Sequence, residues 1–283
     1  MAVTGFIPEI WSAQLQSSLK KSLIYAGPGV VSRQYEGEIA NAGDTVRITS
    51  ISRPTVSSYT KNSTSITPET LTDAQRSLVV DQSKYFAFEV DDIDMRQSAN
   101  GGALLSEAAD EAAYALADTA DQYVAALYSQ ADSGNALGTV SVTTSALAFD
   151  MVVDLNQQLN EANVPKQGRY VVIPPFIENL LLQHSSLVRV DAAGTAESLR
   201  EGMIGRLVGF DVYVSNNCVN VTGDDYAVLA GVPQAIAYAE QISKVEAYRP
   251  ESAFSDAVKG LHLYGAKVVR PSALATCVAS ITP

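Results

Sequence analysis

The chain has 283 residues, enough for one large domain or two intertwined lobes with a sizeable core. Hydrophobic residues make up 47% and charged residues 18%, with a mean hydropathy of +0.06; this is the balance of a soluble globular protein, not of a disordered chain, and no apolar run is long enough to cross a membrane. Acids outnumber bases 31 to 19 for a net charge of −12, which excludes a basic footprint for nucleic acid.

Residues 1–27 read as one short amphipathic helix. Pro8 suits its first turn, Trp11, Leu15 and Leu19 follow four apart, Leu23 extends the series and Gly27 ends it. Such an apolar terminal helix needs a docking surface, on its own domain or on a neighbour. The N-terminus shows no basic region followed by a long apolar core, so no signal peptide is expected.

From Gly43 to Asp94 the periodicity is that of strands. Thr45–Thr49 alternates with period two, and Phe86, Phe88 and Val90 share one face of a second strand. Between them lies SRPTVSSYTKNSTSITPETLTDAQRS, residues 52–77, too polar to build a core of its own. Its Thr, Val and Tyr residues continue both strands as an extended antiparallel arm, stable only against another surface. That is a first sign of assembly.

The stretch 104–132 predicts a long helix, on the order of 40 Å at about 1.5 Å per residue. Leu105, Ala109, Ala112, Leu116, Ala120, Tyr123 and Leu127 form an apolar stripe, with Glu107, Asp110, Glu111, Asp118 and Asp121 on the opposite face. No Lys or Arg occurs between Arg96 and Lys166, against nine Asp or Glu. The plain reading is a solvated acidic face, the sharper one a surface that repels something anionic.

Residues 133–145 read as a loop with a short strand. Ser145–Asn163 is a second helix, striped by Leu147, Val152, Leu155 and Leu159. Arg169–Ile173 is a strand buried on both faces, and Pro174-Pro175 opens a helix through His184. The polar stretch 185–201 is a loop. Phe210, Val212 and Val214 mark a half-buried strand, preceded by Gly202, Gly205 and Gly209. Further strands are expected at Tyr226–Ala230, Ala235–Ala239, Lys244–Tyr248, Leu261–Val269 with a bulge at Gly265, and 274–281. The fold class is α+β with an extended arm.

Chemistry is sparse. His184 and His262 are the only histidines, one at a helix end and one inside a strand. Cys218 and Cys277 stand singly, as in a reduced, intracellular protein. There is no G-x-S-x-G, H-E-x-x-H, P-loop or C-x-x-C, and the three glycines before Phe210 lead into a strand, where no phosphate is cradled. Glu89, Asp91, Asp92 and Asp94 are the best metal candidates, but they do not fit a calcium loop and read better as a charged strand end or helix cap. No catalytic, metal or cofactor site is expected, and no enzyme.

The order of elements is an apolar N-terminal helix, two strands bracketing a polar arm, a long acidic-faced helix, an α/β lobe and returning strands. It resembles the major capsid protein of tailed bacteriophages, with the Hong Kong 97 phage fold. GMIGRLVGFDVYVSNN, residues 202–217, is similar to a recurrent stretch of that family, with G-x-x-G and Gly-Phe before a strand ending in Ser-Asn. VKGLHLYGAKVVRPSALATCVA, residues 258–279, is similar to the way those chains close.

The resemblance implies an N-terminal arm at 1–35, and an E-loop hairpin with flanking strands at 36–95. It further implies a P domain at 96–167 with its spine helix at 104–132, an A domain at 168–258, and closing strands of the P domain at 259–283. Interface candidates are then Trp11, Leu15, Leu19, Tyr59, Lys61 and Asn62, and the core of the spine helix is Leu105, Leu116, Tyr123 and Leu127. Implied partners are other copies of the chain, as hexamers and pentamers of an icosahedral virion shell. Packaged double-stranded DNA would be held without specific binding, consistent with the negative charge, and a portal and decoration proteins would complete the particle. Assembly in the host bacterial cytoplasm is implied too. The chain begins almost directly with the arm, so a separate scaffolding protein, or a scaffold already removed, is expected. Some relatives cross-link an E-loop lysine to a neighbour's asparagine; Lys61 lies near the arm's tip, but no motif marks an acceptor or an assisting acid. The alternative with the same fold is an encapsulin-like bacterial nanocompartment shell. An adhesin-type surface protein and an acid-rich hydrolase fit less well.

Overall fold

A computed structural model describes residues 24–34, 45–51, 55–61, 65, 73–91, 103–183, 203–251 and 255–281. The long helix α1 spans Ala103–Ala125, about 35 Å at 1.5 Å per residue. Its buried side is almost wholly small: Ala109, Ala113, Ala117, Ala120 and Ala125, with Leu116 and Val124. Alanine keeps the helix stable and lets neighbouring backbone come close. Three details depart from the sequence reading. Ala112 is only half-buried, and Ala113 and Ala117 take its place. Asp121, expected on the solvated face, is 3% exposed, because the core supplies backbone donors for its carboxylate. The α-helix also ends seven residues before Asp132: Ala126–Gln130 form a 3₁₀ turn and Ala131 is extended. There the Ser129 hydroxyl donates to the Ala126 carbonyl, and the Asp132 N–H donates to the Pro271 carbonyl, drawing the chain toward the closing strands.

Strand β1, Thr45–Ile51, pairs antiparallel with β2, Asp73–Val79, from Thr45 opposite Val79 to Ile51 opposite Asp73. The second strand expected from Phe86 and Phe88 is β3, Gln82–Asp91, which belongs to another sheet. It pairs with β11, Ser255–Val268, which in turn pairs with β10, Ile236–Tyr248. The two short segments expected at 235–239 and 244–248 are thus one strand with an irregularity between Ile242 and Lys244. Gly265 is not a bulge, since its pairing runs on without a shift. It is a close approach: a β-carbon there would lie 2.9 Å from the Val80 α-carbon.

The larger sheet runs in the order β4 (Ala136–Ser141), β12 (Leu274–Ser280), β9 (Asp225–Gly231), β5 (Arg169–Ile173), β7 (Phe210–Val214), β6 (Met203–Leu207), with β8 (Asn220–Thr222) on β9. All five residues of β5 are buried, as expected of a central strand covered on both faces. Strand β6 had no periodicity to announce it. It joins β7 through Val208 and Gly209, both at positive φ (52° and 86°), the geometry of a tight two-residue hairpin turn. This sheet draws β4 and β12 from outside 168–258 and leaves out β10.

Helix α2, Ser145–Glu161, is capped by the Thr144 side chain, which accepts from the Leu147 N–H. Just past its C-cap, Asn163 stands in the left-handed region at φ 57°. Its buried stripe is Ala148, Met151, Val152, Leu155 and Leu159. Leu147, expected in that stripe, is 39% exposed, because the cap turns the first helical turn outward. Helix α3, Pro175–Leu182, starts with proline in its first turn, as read, and packs on α2. Residues 24–27 form turns where the N-terminal helix was expected to end. Trp11, Leu15, Leu19, Asn62, His184 and the loop 185–201 lie outside the described residues, as does the side chain of Leu105.

Candidate functional site

Titratable groups do not converge on a reaction centre among the described residues, and no three His, Cys, Asp or Glu side chains there are placed to share a metal ion. Both cysteines are buried, and burial pushes each thiol up to about 12, far from a nucleophilic thiolate. Glu89 accepts from the Ser255 hydroxyl at 3.5 Å, and Asp92 and Asp94 lie outside the described residues. His262 is 1% exposed, and neither ring nitrogen has a hydrogen-bond partner among the described residues. Glu240 Oε2 lies 3.7 Å from its Nε2, and its ring lies against that of Tyr264.

The polar groups that do converge hold backbone. Residues 24–34 form a strap across the core. At its start Asp121 Oδ1 accepts the N–H groups of Ile24, Tyr25 and Ala26 at 3.0, 2.6 and 3.2 Å. Asp121 Oδ2 accepts Asn217 Nδ2 at 3.0 Å, and the same amide donates to Asp118 Oδ1 at 2.8 Å. Burial raises the Asp121 carboxyl above its ordinary value, even though all four hydrogen bonds to it pull the other way.

At the other end of the strap Ser32 makes a parallel bridge to Ala237, and Arg33 Nη1 donates to Glu240 Oε1. The Tyr238 hydroxyl donates to Glu240 Oε2 at 2.8 Å, and the Arg33 guanidinium lies over the Tyr238 ring. Burial alone would raise the Glu240 carboxyl, but His262, Arg33 and Tyr238 together hold it down at about 2. His262 acts from 3.7 Å, beyond hydrogen-bond distance, while Arg33 and Tyr238 donate to the carboxylate directly.

The β1–β2 hairpin is built on this same sheet. Leu78 is fully buried with Ala237 and Ala239, and Ile48 and Val269 pack beside them. Arg76 Nη1 donates to the Val268 carbonyl at 3.1 Å, and the Tyr123 hydroxyl donates to Asp81 Oδ1 at 3.3 Å. The root is therefore fixed on β11 and α1. The far end is different: residues 55–61 are all exposed, with Val56 at 95% and Tyr59 at 67%. Tyr59 and Lys61 thus stand outward on the loop the sequence had singled out. Tyr85, 80% exposed, adds a second apolar surface beside its cross-strand partner Leu261. Of the expected spine-helix core, Leu116 and Leu127 are buried, and Tyr123 is half-buried with its hydroxyl in use.

Sequence reasoning missed Asp121, Arg33 and Glu240. A signal existed for one of them: Ala113, Ala117, Asp121 and Val124 share the spacing of a buried helix stripe. The charge argued against placing Asp121 there.

Residues 75–277 match the family model described as phage capsid protein. No curated protein sequence matches the chain. Among solved structures, one from Mycobacterium phage Che8 is 35% identical, covers 99% of both chains and superposes with a TM-score of 0.73. The capsid of cyanophage P-SCSP1u is 17% identical over 99% of this chain and 92% of its own, with a TM-score of 0.70. A virus-like particle from Pyrococcus furiosus is 15% identical over 95% and 98%, with a TM-score of 0.56.

Proposed function

The chain belongs to the phage capsid protein family, and we propose that it closes around double-stranded DNA as hexamers and pentamers in the head of a tailed bacteriophage. It is a major capsid protein with the Hong Kong 97 phage fold, a virion component that assembles with copies of itself into a shell. The observation that carries the finer reading is the hairpin. A root anchored by Leu78, Arg76 and Gly265 presents a loop whose apolar Val56 and Tyr59 no part of the described chain covers. Exposed apolar side chains on an anchored projection fit a partner surface, and in a shell that surface is the next subunit. Each contact is modest and is used many times, so the shell gains stability by multivalency.

In this reading Tyr59, Lys61 and Asn62 meet one neighbour, and Trp11, Leu15 and Leu19 meet another. Residues 36–95 act as the E-loop with its flanking strands, 96–167 and 259–283 as the P domain, and 168–258 as the A domain. Mechanism is geometry and interface energy, with no bond made or broken. A scaffolding protein, a portal and decoration proteins complete the particle, and assembly takes place in the host cytoplasm. A net charge of −12 suits a container that must not adhere to its own DNA. The second reading, a nanocompartment shell that loads protein cargo, is favoured only by the likeness to the Pyrococcus particle, which at 15% identity speaks for the fold alone.

Negative-stain electron microscopy of the purified chain, alone and with the gene products encoded beside it, tests the proposal. Closed shells or rings of five and six are expected. A protein that stays monomeric under both conditions would overturn it, and shells that load an enzyme instead of DNA would favour the second reading.

A further inference from the structure

The strap at residues 24–34 has almost no sheet pairing of its own. Its one regular contact is the bridge between Ser32 and Ala237, yet Tyr25, Ala26, Val30 and Val31 are each at most 1% exposed. What places its first turn is a side chain 95 to 97 residues away: Asp121 Oδ1, facing three successive backbone N–H groups. Arg33 then closes the strap on itself, with Nε and Nη2 donating to the Ala26 carbonyl at 3.2 and 2.8 Å. Through Asn217 the same carboxylate also ties down the turn after β7. One group therefore joins the strap, α1 and that turn.

Asp121 is an expensive way to achieve this. Burial raises its carboxyl even against four hydrogen bonds, so the ionised form is disfavoured relative to the protonated one. A charged group kept in a core against that preference fits a role in fixing one geometry better than a role in stability. The geometry fixed here is the backbone at Ile24, beside a cavity of about 190 Å³ lined by Tyr114, Asp118, Asp121, Val214 and Asn217.

We propose that Asp121 is a positioning residue for shell assembly: by holding the backbone of residues 24–26 on α1 and the turn after β7, it fixes the point and orientation at which the described chain begins, at Ile24. This rests on the shell reading above. It adds that the geometry at the start of the strap is determined inside the subunit, by one helix carboxylate.

The test compares three variants of the full chain, Asp121→Ala, Asp121→Asn and Leu155→Ala, under conditions in which wild type forms shells. Leu155 is fully buried in α2 and makes none of the strap's hydrogen bonds, so Leu155→Ala supplies a loss of stability without a loss of positioning. Each variant is assembled below its own unfolding transition. Leu155→Ala should form shells like those of wild type. Asp121→Ala should stay folded, give few closed shells, and exchange the amides of residues 24–26 about tenfold faster or more, as loss of one net hydrogen bond or more gives. Asp121→Asn keeps a carbonyl acceptor for the three N–H groups and should fall between them; it also serves if the alanine variant does not fold. Normal shells from Asp121→Ala, or from Asp121→Asn in its place, would overturn the proposal, and so would equal failure of Leu155→Ala. Failure of wild type itself to form shells would instead overturn the assembly reading on which the proposal stands.

Discussion

Gly265 on β11 and Val79 on β2 approach so closely that a β-carbon on residue 265 would overlap the Val79 carbonyl. The two strands belong to different sheets, so this contact seats the hairpin root on the body of the subunit. Gly265→Ala must push the root away or distort β11, at about 1–3 kcal/mol for an overpacked site. Gly138 is the control: it has φ 73° but open space around its β-carbon position, so Gly138→Ala costs backbone strain alone, about 1 kcal/mol. Denaturant midpoints should rank the two in that order, and only Gly265→Ala should change shell assembly. An equal ranking would mean that the hairpin root adjusts freely.

What sequence made legible, and what it did not, follows the range of the forces involved. Arg169–Ile173 announced a central strand through apolar continuity, and Phe86, Phe88 and Val90 announced β3 through period two, both local signals. Strand β2 was legible only as part of an extended antiparallel arm, because Asp73–Ser77 continues a Ser- and Thr-rich run; its start and its register on β1 were not. Strand β6 was hidden because Met203–Leu207 has no period and its turn places a valine at positive φ, which no propensity favours. The strap was least legible. Asp121 meets Tyr25 across 96 residues, and nothing local reveals that three backbone donors wait for one carboxylate.

The two carboxylates that hold the strap respond oppositely to acid. Glu240 is held at about 2 against an ordinary 4.5, so its contribution is present above pH 4.5 and is lost as pH falls through about 2. Asp121 is raised above 3.8, so protonation on acidification relieves a burial cost and adds stability instead. Glu240→Gln should therefore flatten the loss of stability between pH 4.5 and 2, and Asp121→Asn should remove a gain that begins above 3.8. Urea unfolding at a series of pH values checks both slopes. An unchanged slope in Glu240→Gln would mean that the Arg33 pair does not govern acid sensitivity.

The buried side of α1 admits small and apolar groups only, Asp121 excepted. Leu116 is 6% exposed, and Leu116→Asp would place an ionised carboxylate in an apolar, buried position. A loss of about 3 kcal/mol or more is expected, with largely insoluble protein. Tyr114 on the same helix is 58% exposed, so Tyr114→Asp should stay within about 0.5 kcal/mol of wild type. Soluble yield and thermal unfolding of the pair measure this. Soluble, normally stable Leu116→Asp protein would show that the helix can turn its stripe outward.

The hairpin loop separates folding from assembly most cleanly. Ile51 pairs directly with Asp73, so residues 52–72 can be replaced by Asn-Gly, which forms the tight turn two antiparallel strands require. The root contacts of Leu78, Arg76 and Gly265 all lie outside the deletion, and the lost stretch includes the exposed Val56, Tyr59 and Lys61. The truncated subunit should thus unfold close to the wild-type temperature, because the described residues it loses, 55–61 and 65, are all exposed. It should nevertheless form no closed shells, because the exposed Val56 and Tyr59 on which the proposed contact rests are gone. Sedimentation velocity and electron microscopy of the same preparation read both properties. Shells of normal size would remove 52–72 from the assembly mechanism, and a large fall in unfolding temperature would place its role inside the subunit instead.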